Sequence, residues 1–341
     1  MPMEINIIDN TTSWQELESE WHALVESSAI NMPFLSYVYQ RNWWETLGGG
    51  EWLPDNSSLR IITARKAGKL IGIAPLFFTQ KQGHQPALHF IGSYEVSDYL
   101  DFIVSEEDTA EFIPAVLSFL HQHPDSTNKQ LDLYNILDSS SSLPIIREQA
   151  SLNHWEYQEE IIQPSPYLSI PENWDQYMAT LNKKYRHEIR RKLRRAEETE
   201  LHCYVVTDPL TLDEEINSFI EMMALDPEKE AFLSGKMREH IMTTAKIAFE
   251  QGWLHLAYLT INNEKAASYM NFLINNHLLI FNSSWNRNFS HYSPGWVLLA
   301  KVIKWAIKHD VKIVDFMRGD EAYKYQFGGV DRFVIRATLS L

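Results

Sequence analysis

Apolar residues recur at three- and four-residue spacing in the first thirty positions, at Trp14, Leu17, Trp21, Leu24 and Val25. Thr12 or Ser13 precedes them as a cap with Glu16 at capping-box distance, so the pattern predicts a helix there. A second helix is expected over SYVYQRNWWETLG, ending at Gly48–Gly50. LRIITAR, the turn AGK and LIGIAPLFF then change to β-branched and aromatic runs about a glycine turn, the pattern of a hairpin. LHFIG and YLDFIV read as strands, EFIPAVLSFLHQ as a helix and LDLYNIL as a strand. DSSSSLP is the best linker by composition, and EYQEEIIQPSPYLSIP reads as an extended crossing.

The same order then recurs. Helices are expected around 173–199, at LDEEINSFIEMMAL and at GKMREHIMTTAKIAFEQG. A meander follows through WLHLAYLTI, KAASYMNFLI and LLIFNSSW, then the helix SPGWVLLAKVIKWAIKHD, the strand VKIVDFM and a last strand RFVIRATL. Repetition of this order predicts a tandem pair of α/β domains, residues 1–160 and 161–341.

A chain of 341 residues fits two domains, and a hydrophobic content of 45% supplies their cores. The single cysteine, Cys203, excludes an internal disulfide and a Cys-rich zinc site. Histidine spacing offers no metal motif, and no P-loop, Rossmann glycine run or G-x-S-x-G elbow occurs. The start MPMEINIIDN has no basic segment followed by an apolar one, and WVLLAKVIKWAI is too short and too charged to span a bilayer. A soluble cytoplasmic protein without membrane insertion is expected. The net charge of −15 argues against DNA as a partner.

Three stretches concentrate chemistry. Ser293, Pro294 and Gly295 open a helix, and free N–H groups at such a start attract an anion such as a pyrophosphate. The run NKKYRHEIRRKLRRAEE holds eight of the chain's 30 Lys and Arg, with Arg186 and Arg190 as contacts to phosphate or substrate. It reads as a solvated face, a local phosphate site, or an RNA or membrane surface. DFMRGDEAYKYQFGG gathers Asp315, Arg318, Asp320, Tyr323 and Lys324 at a strand end. Strand alternation places Asp315 in an apolar row with Val311 and Ile313, and helical spacing pairs Asp320 with Lys324. This motif is either an ion-paired turn or the rim of an active site. Asp98 and Tyr99, in GSYEVSDYLDFIV, form a fourth patch as substrate contacts.

These segments, in order, resemble the tandem GNAT-fold acyltransferases of the CelD/BcsL (BioF2-like) type, associated with cellulose biosynthesis and related to the FemAB aminoacyltransferases. The matching stretches are PFLSYVYQRNWWETLG, KLIGIAPLFF, SDYLDFIV, KKYRHEIRRKLRR, the SPG at 293–295 and DFMRGDEAYKYQFG. The resemblance implies two domains with mixed sheets flanked by helices, the first non-catalytic and lining a cleft. It implies an acyltransferase that moves an acetyl or other acyl group from acyl-CoA to an amine or hydroxyl of a sugar, lipid or polysaccharide precursor. Asp320 or Asp315 would then be the base, with Lys324 and Arg318 stabilising charge and Tyr323 donating a proton. Ser293, Pro294 and Gly295 would hold the pyrophosphate. In place of the superfamily's glycine-rich loop this chain offers only Gly295. The alternatives are a Fem-like enzyme using aminoacyl-tRNA and a silent scaffold that binds a partner.

Overall fold

Asn10, ahead of the expected Thr12 or Ser13, caps the first helix: its side chain accepts the Ser13 N–H at 2.9 Å. The structure, a computed structural model, describes residues 3–48, 57–80, 85–92, 95–123 and 129–341. Gly49 and Gly50, part of the expected stop of the second helix, lie outside them. Two units divide the chain, Met1–Pro164 with Arg332–Leu341, and Ser165–Asp331.

In the first unit, β1 (Met3–Ile8) leads to α1 (Thr11–Glu16), α2 (Glu18–Ser27) and α3 (Tyr37–Leu47). The predicted stripe Trp14, Leu17, Trp21, Leu24 and Val25 is buried. Short β2 (Ser58–Leu59) runs into β3 (Ile61–Lys66). The expected hairpin joins β3 to β4 (Lys69–Ala74), and β5 (Leu76–Thr79) and β6 (Ala87–Phe90) follow. Pro75, which has no N–H to give a ladder, separates β4 from β5, and the chain passes there from one sheet to a second. Then come β7 (Ile103–Val104), α4 (Glu106–Gln122), β8 (Gln130–Leu137), α5 (Ser142–Leu152) and β9 (Glu156–Pro164). The sheets run β1-β3-β4-β7, antiparallel throughout, and β2-β5-β6-β8-β16-β9, in which β6 and β8 are parallel; β16 is Phe333–Ser340.

That last strand departs from the expected boundary at residue 160. β16 pairs with β8 and β9, so the C-terminal residues complete the first unit's sheet. Its alternating apolar pattern identified a strand but carried no information about its neighbours. The serine run is not a linker either. Ser140 and Ser142 bond to Asp101, and α5 starts at Ser142.

The second unit begins with β10 (Tyr167–Ser169) and two helices where one was expected, α6 (Trp174–Thr180) and α7 (Lys183–Ala196). Asn182 breaks them and caps α7, accepting from the Lys184 N–H at 2.9 Å. β11 (Leu201–Val205), α8 (Leu212–Met223), α9 (Pro227–Phe232) and α10 (Met237–Glu250) precede the meander β12 (Leu254–Ile261), β13 (Glu264–Ile274) and β14 (His277–Trp285). α11 (Pro294–Lys308), β15 (Ile313–Asp315) and α12 (Ala322–Gln326) complete the unit. Its sheet is β10-β15-β14-β13-β12-β11, with β14 and β15 parallel. Ile189 and Leu193 of α7 and Val297, Val302 and Ile303 of α11 pack on one core with Leu259, Ala267 and Leu278.

The mixed sheet positions the site. β14 and β15 pair only from His277 and Ile313 to Leu279 and Asp315. Beyond that point β14 continues to Trp285 without β15 beside it. A bulge sets Asn282 and Ile280 against consecutive residues of β13.

Candidate functional site

Between β14 and α11 the chain makes a 3-10 turn over Arg287–Tyr292 and then places Ser293 at φ 53°. A serine in the left-handed region is strained, and such strain concentrates at functional positions. Pro294 follows at the first helical position, where its missing N–H costs nothing. The Ser293 carbonyl accepts the Val297 N–H at 3.1 Å, but its hydroxyl caps nothing, and the first turn holds no acid. The Gly295 and Trp296 N–H groups therefore open α11 without a side-chain cap, at the positive end of a fifteen-residue helix.

A pocket of about 340 Å³ lies at this start. Ser293, Pro294 and Gly295 form one side of it, and Ser283 and Trp285 at the end of β14 another. Lys192 is the one charged residue among those lining it. Its ammonium sits 3.6 Å from the Trp296 ring centroid and 3.6 Å from Glu188, and burial holds it below the usual lysine value. Arg195, one turn further along α7, donates to the His291 carbonyl at 3.0 Å and pins the turn before the helix. The basic helix thus reaches the pocket through Lys192. Arg186 bonds instead to the Met178 carbonyl at 3.3 Å, and Arg190 is exposed. The signal was present: Lys192 stands three residues after Ile189 and four before Ala196, on the buried edge of the helix.

Two phenols face this pocket. Tyr269 donates to the Gly295 carbonyl at 3.4 Å. Tyr323 stands edge-on to Phe316, and its hydroxyl has no hydrogen-bond partner among the described residues. Burial pushes both phenols above the ordinary tyrosine value, with Glu321 adding to each, so both keep their protons at neutral pH.

The acidic-basic motif resolves into a different arrangement from the one its spacing suggested. Lys324 is 2% exposed and donates to the carbonyls of Met317, Arg318 and Gly319 at 3.0, 2.6 and 3.2 Å. Its ion pair is with Glu321 at 2.9 Å, three residues back, rather than with Asp320. Asp320 precedes α12 and is exposed, so the helical spacing assumed for it does not exist. Met317 at φ 58° and Gly319 at φ 116° curl the chain so that its carbonyls converge on the ammonium. At φ 116° an L side chain would be strained, which is why glycine stands at 319, and an added Cβ would also displace the Glu321 carboxylate. Arg318 contributes its carbonyl to this cage. Asp315 is fully buried as expected, and its carboxylate accepts the Met317 N–H at 2.9 Å, which fixes the start of the turn. The turn is thus built around Lys324.

Asp98 and Tyr99 lie in the first unit, and both are buried. Tyr99 takes φ 60°, and its hydroxyl accepts from the Arg332 guanidinium at 2.9 Å. Neighbouring Asp101 is fully enclosed and accepts from the Phe102 N–H, Ser140 and Ser142. Burial outweighs these bonds and raises its carboxyl from 3.8 to about 6. A raised acid stabilises the fold most below its ordinary value and loses that contribution as pH rises through about 6. Asp101→Asn escapes the loss. Its melting temperature relative to wild type is expected to climb between pH 4 and pH 7, by an amount equivalent to about 2 kcal/mol. Thermal melts across that range check it, and a flat difference would show that Asp101 ionises as freely folded as unfolded.

Among the described residues no three His, Cys, Asp or Glu side chains gather as metal ligands, and no helix is long and apolar enough to cross a membrane. Residues 183–325, which hold α7 through most of α12, match the model of the acetyltransferase (GNAT) domain. No curated protein matches by sequence. The fold is similar to that of FemX, at 13% identity and a TM-score of 0.65, with 96% of each chain covered. It is also similar to the C-terminal domain of a putative lysylphosphatidylglycerol synthetase from Agrobacterium fabrum, at 10% identity and a TM-score of 0.55 over 96% of this chain and 92% of that one. A tandem GNAT protein from the clavulanic acid biosynthesis pathway aligns at 13% identity and a TM-score of 0.50, with 98% of each chain covered. The architecture therefore resembles that of tandem GNAT structures, and residues 183–325, in its second unit, carry a GNAT-type acyltransferase domain.

Proposed function

We propose that the second unit transfers an acyl group, acetyl in the simplest case, from acyl-CoA to an amine or hydroxyl of a sugar, lipid or polysaccharide precursor. The observation that carries this reading is the uncapped start of α11. Free N–H groups, Lys192 and the hydroxyls of Ser290 and Ser293 converge there without a carboxylate among the lining residues. That set suits the diphosphate of a CoA ester.

Direct transfer needs a bound thioester, a base for the acceptor and a proton for the departing sulfur. Tyr323 has a pocket-facing phenol that stays protonated, and it supplies that proton. Of the two acids, Asp315 is enclosed and committed to the Met317 N–H. Asp320, exposed and unpaired with Lys324, is the one left to accept a proton from solvent-borne acceptors.

Among the described residues of the first unit, the corresponding helix start does not offer a comparable anion site. Its helix after the meander, α4, is capped by Ser105 and opens with Glu106, Glu107 and Asp108. Three carboxylates at a helix start repel a diphosphate, so we assign donor binding to the second unit alone.

Release of the CoA thiol from acetyl-CoA, followed with amino-sugar and amine acceptors, tests the proposal. Tyr323→Phe is expected to lower kcat about 100-fold with unchanged acyl-CoA affinity. Absence of thiol release with every acceptor and acyl length would contradict the reading.

The outer face of α7 favours a second reading. Lys183, Lys184, Arg190 and Arg194 are all exposed there, and Arg191 alone is engaged, by Glu188 at 2.7 Å. An aminoacyl donor carried on tRNA would bind such a face, and its affinity would fall steeply with salt.

A further inference from the structure

The end of β14 has a wall without a strand behind it. Ser283 stands opposite Tyr269 of β13, past the point where pairing with β15 stops. Its backbone groups bond to side chains. The N–H donates to Asn282 Oδ1 at 2.8 Å, and the carbonyl accepts from Lys229 Nζ, which also donates to Asn282 Oδ1 at 3.0 Å. An ammonium and an amide thus satisfy the edge that a neighbouring strand would otherwise satisfy.

Lys229 comes from α9, a six-residue helix on the surface of the unit, and is itself half-buried. Burial holds its amine below the usual lysine value, with Asp226 and Glu321 opposing. Neither carboxylate pairs with it: Asp226 binds Arg287 at 3.1 Å and Glu321 binds Lys324 at 2.9 Å. A half-buried lysine that passes two nearby acids to reach main chain has a positional task. Ser283 lines the pocket, as does Trp285 two residues on.

We infer that Lys229 is a positioning residue for the donor, replacing the missing strand neighbour at Ser283 and so fixing the wall of the pocket at the end of β14. This rests on the donor site proposed above. Lys229 acts through β14 and makes no contact with the reacting atoms.

Lys229→Met keeps the unbranched stem and removes the ammonium. Hydrogen exchange over residues 280–285 is expected to accelerate about tenfold, with β12 unaffected. The Kd for acetyl-CoA should rise about five- to tenfold while kcat at saturating donor stays within twofold. Lys229→Arg, which retains donors, should restore both readouts to within threefold. Unchanged exchange in Lys229→Met would overturn the inference, and so would faster exchange with unchanged Kd, which reduces Lys229 to a structural tie. Failure of the wild-type protein to bind acetyl-CoA would instead defeat the donor reading, leaving the exchange result to judge the hold on β14.

Discussion

Lys324→Met is expected to lower the melting temperature by about 6–12 °C, corresponding to about 3 kcal/mol in a unit of this size. The ammonium answers three carbonyls and one carboxylate within a single turn, and methionine answers none. The carbonyls of Met317, Arg318 and Gly319 converge because Met317 and Gly319 hold positive φ, a conformation with little reason to persist without the cation. Lys324→Arg should recover only part of the loss, since a planar fork does not match three converging acceptors. Circular dichroism melts decide the matter. A variant that melts like wild type while losing turnover would return Lys324 to the chemistry.

Gly295→Asp is expected to separate the fold from the site. No atom lies within 4 Å of a Cβ added at Gly295, so the side chain enters open space. A carboxylate in the first turn of α11 meets the positive end of the helix and should stabilise it by about 0.3–1 kcal/mol. The same carboxylate occupies the ground proposed for the diphosphate, beside Lys192. Donor affinity should fall about 30-fold, roughly 2 kcal/mol, while the protein melts no lower than wild type.

Local periodicity made most elements legible. The stripe of Trp14, Trp21 and Leu24, the hairpin about Ala67–Gly68 and the Pro-Gly start of α11 follow from sequence because neighbours along the chain determine them. Misreadings arose where distant partners decide. β16 looks like any half-buried strand, and only β8 and β9 show which unit it serves. β11 and α9 carry mostly exposed or half-buried residues, so no apolar period announced them, and α9 supplies Lys229. The serine run looked like a linker because Asp101, some forty residues upstream, is what orders it. Composition draws attention to residues 315–324, yet the helical spacing does not extend to Asp320, one residue before the cap of α12. The actual pair, Glu321 with Lys324, depends on a backbone curl that no side-chain spacing encodes. Lys192 was obscured by the cations around it, although its place beside Ile189 and Ala196 distinguishes it.

Calorimetric titration of acetyl-CoA into the wild-type protein and Gly295→Asp, at one ionic strength, tests donor binding at α11 most directly. Saturable binding by wild type, weakened about 30-fold in a variant of equal or higher melting temperature, is the expected result. Equal affinity in the two proteins, or no heat from either, would contradict a donor site at the start of α11.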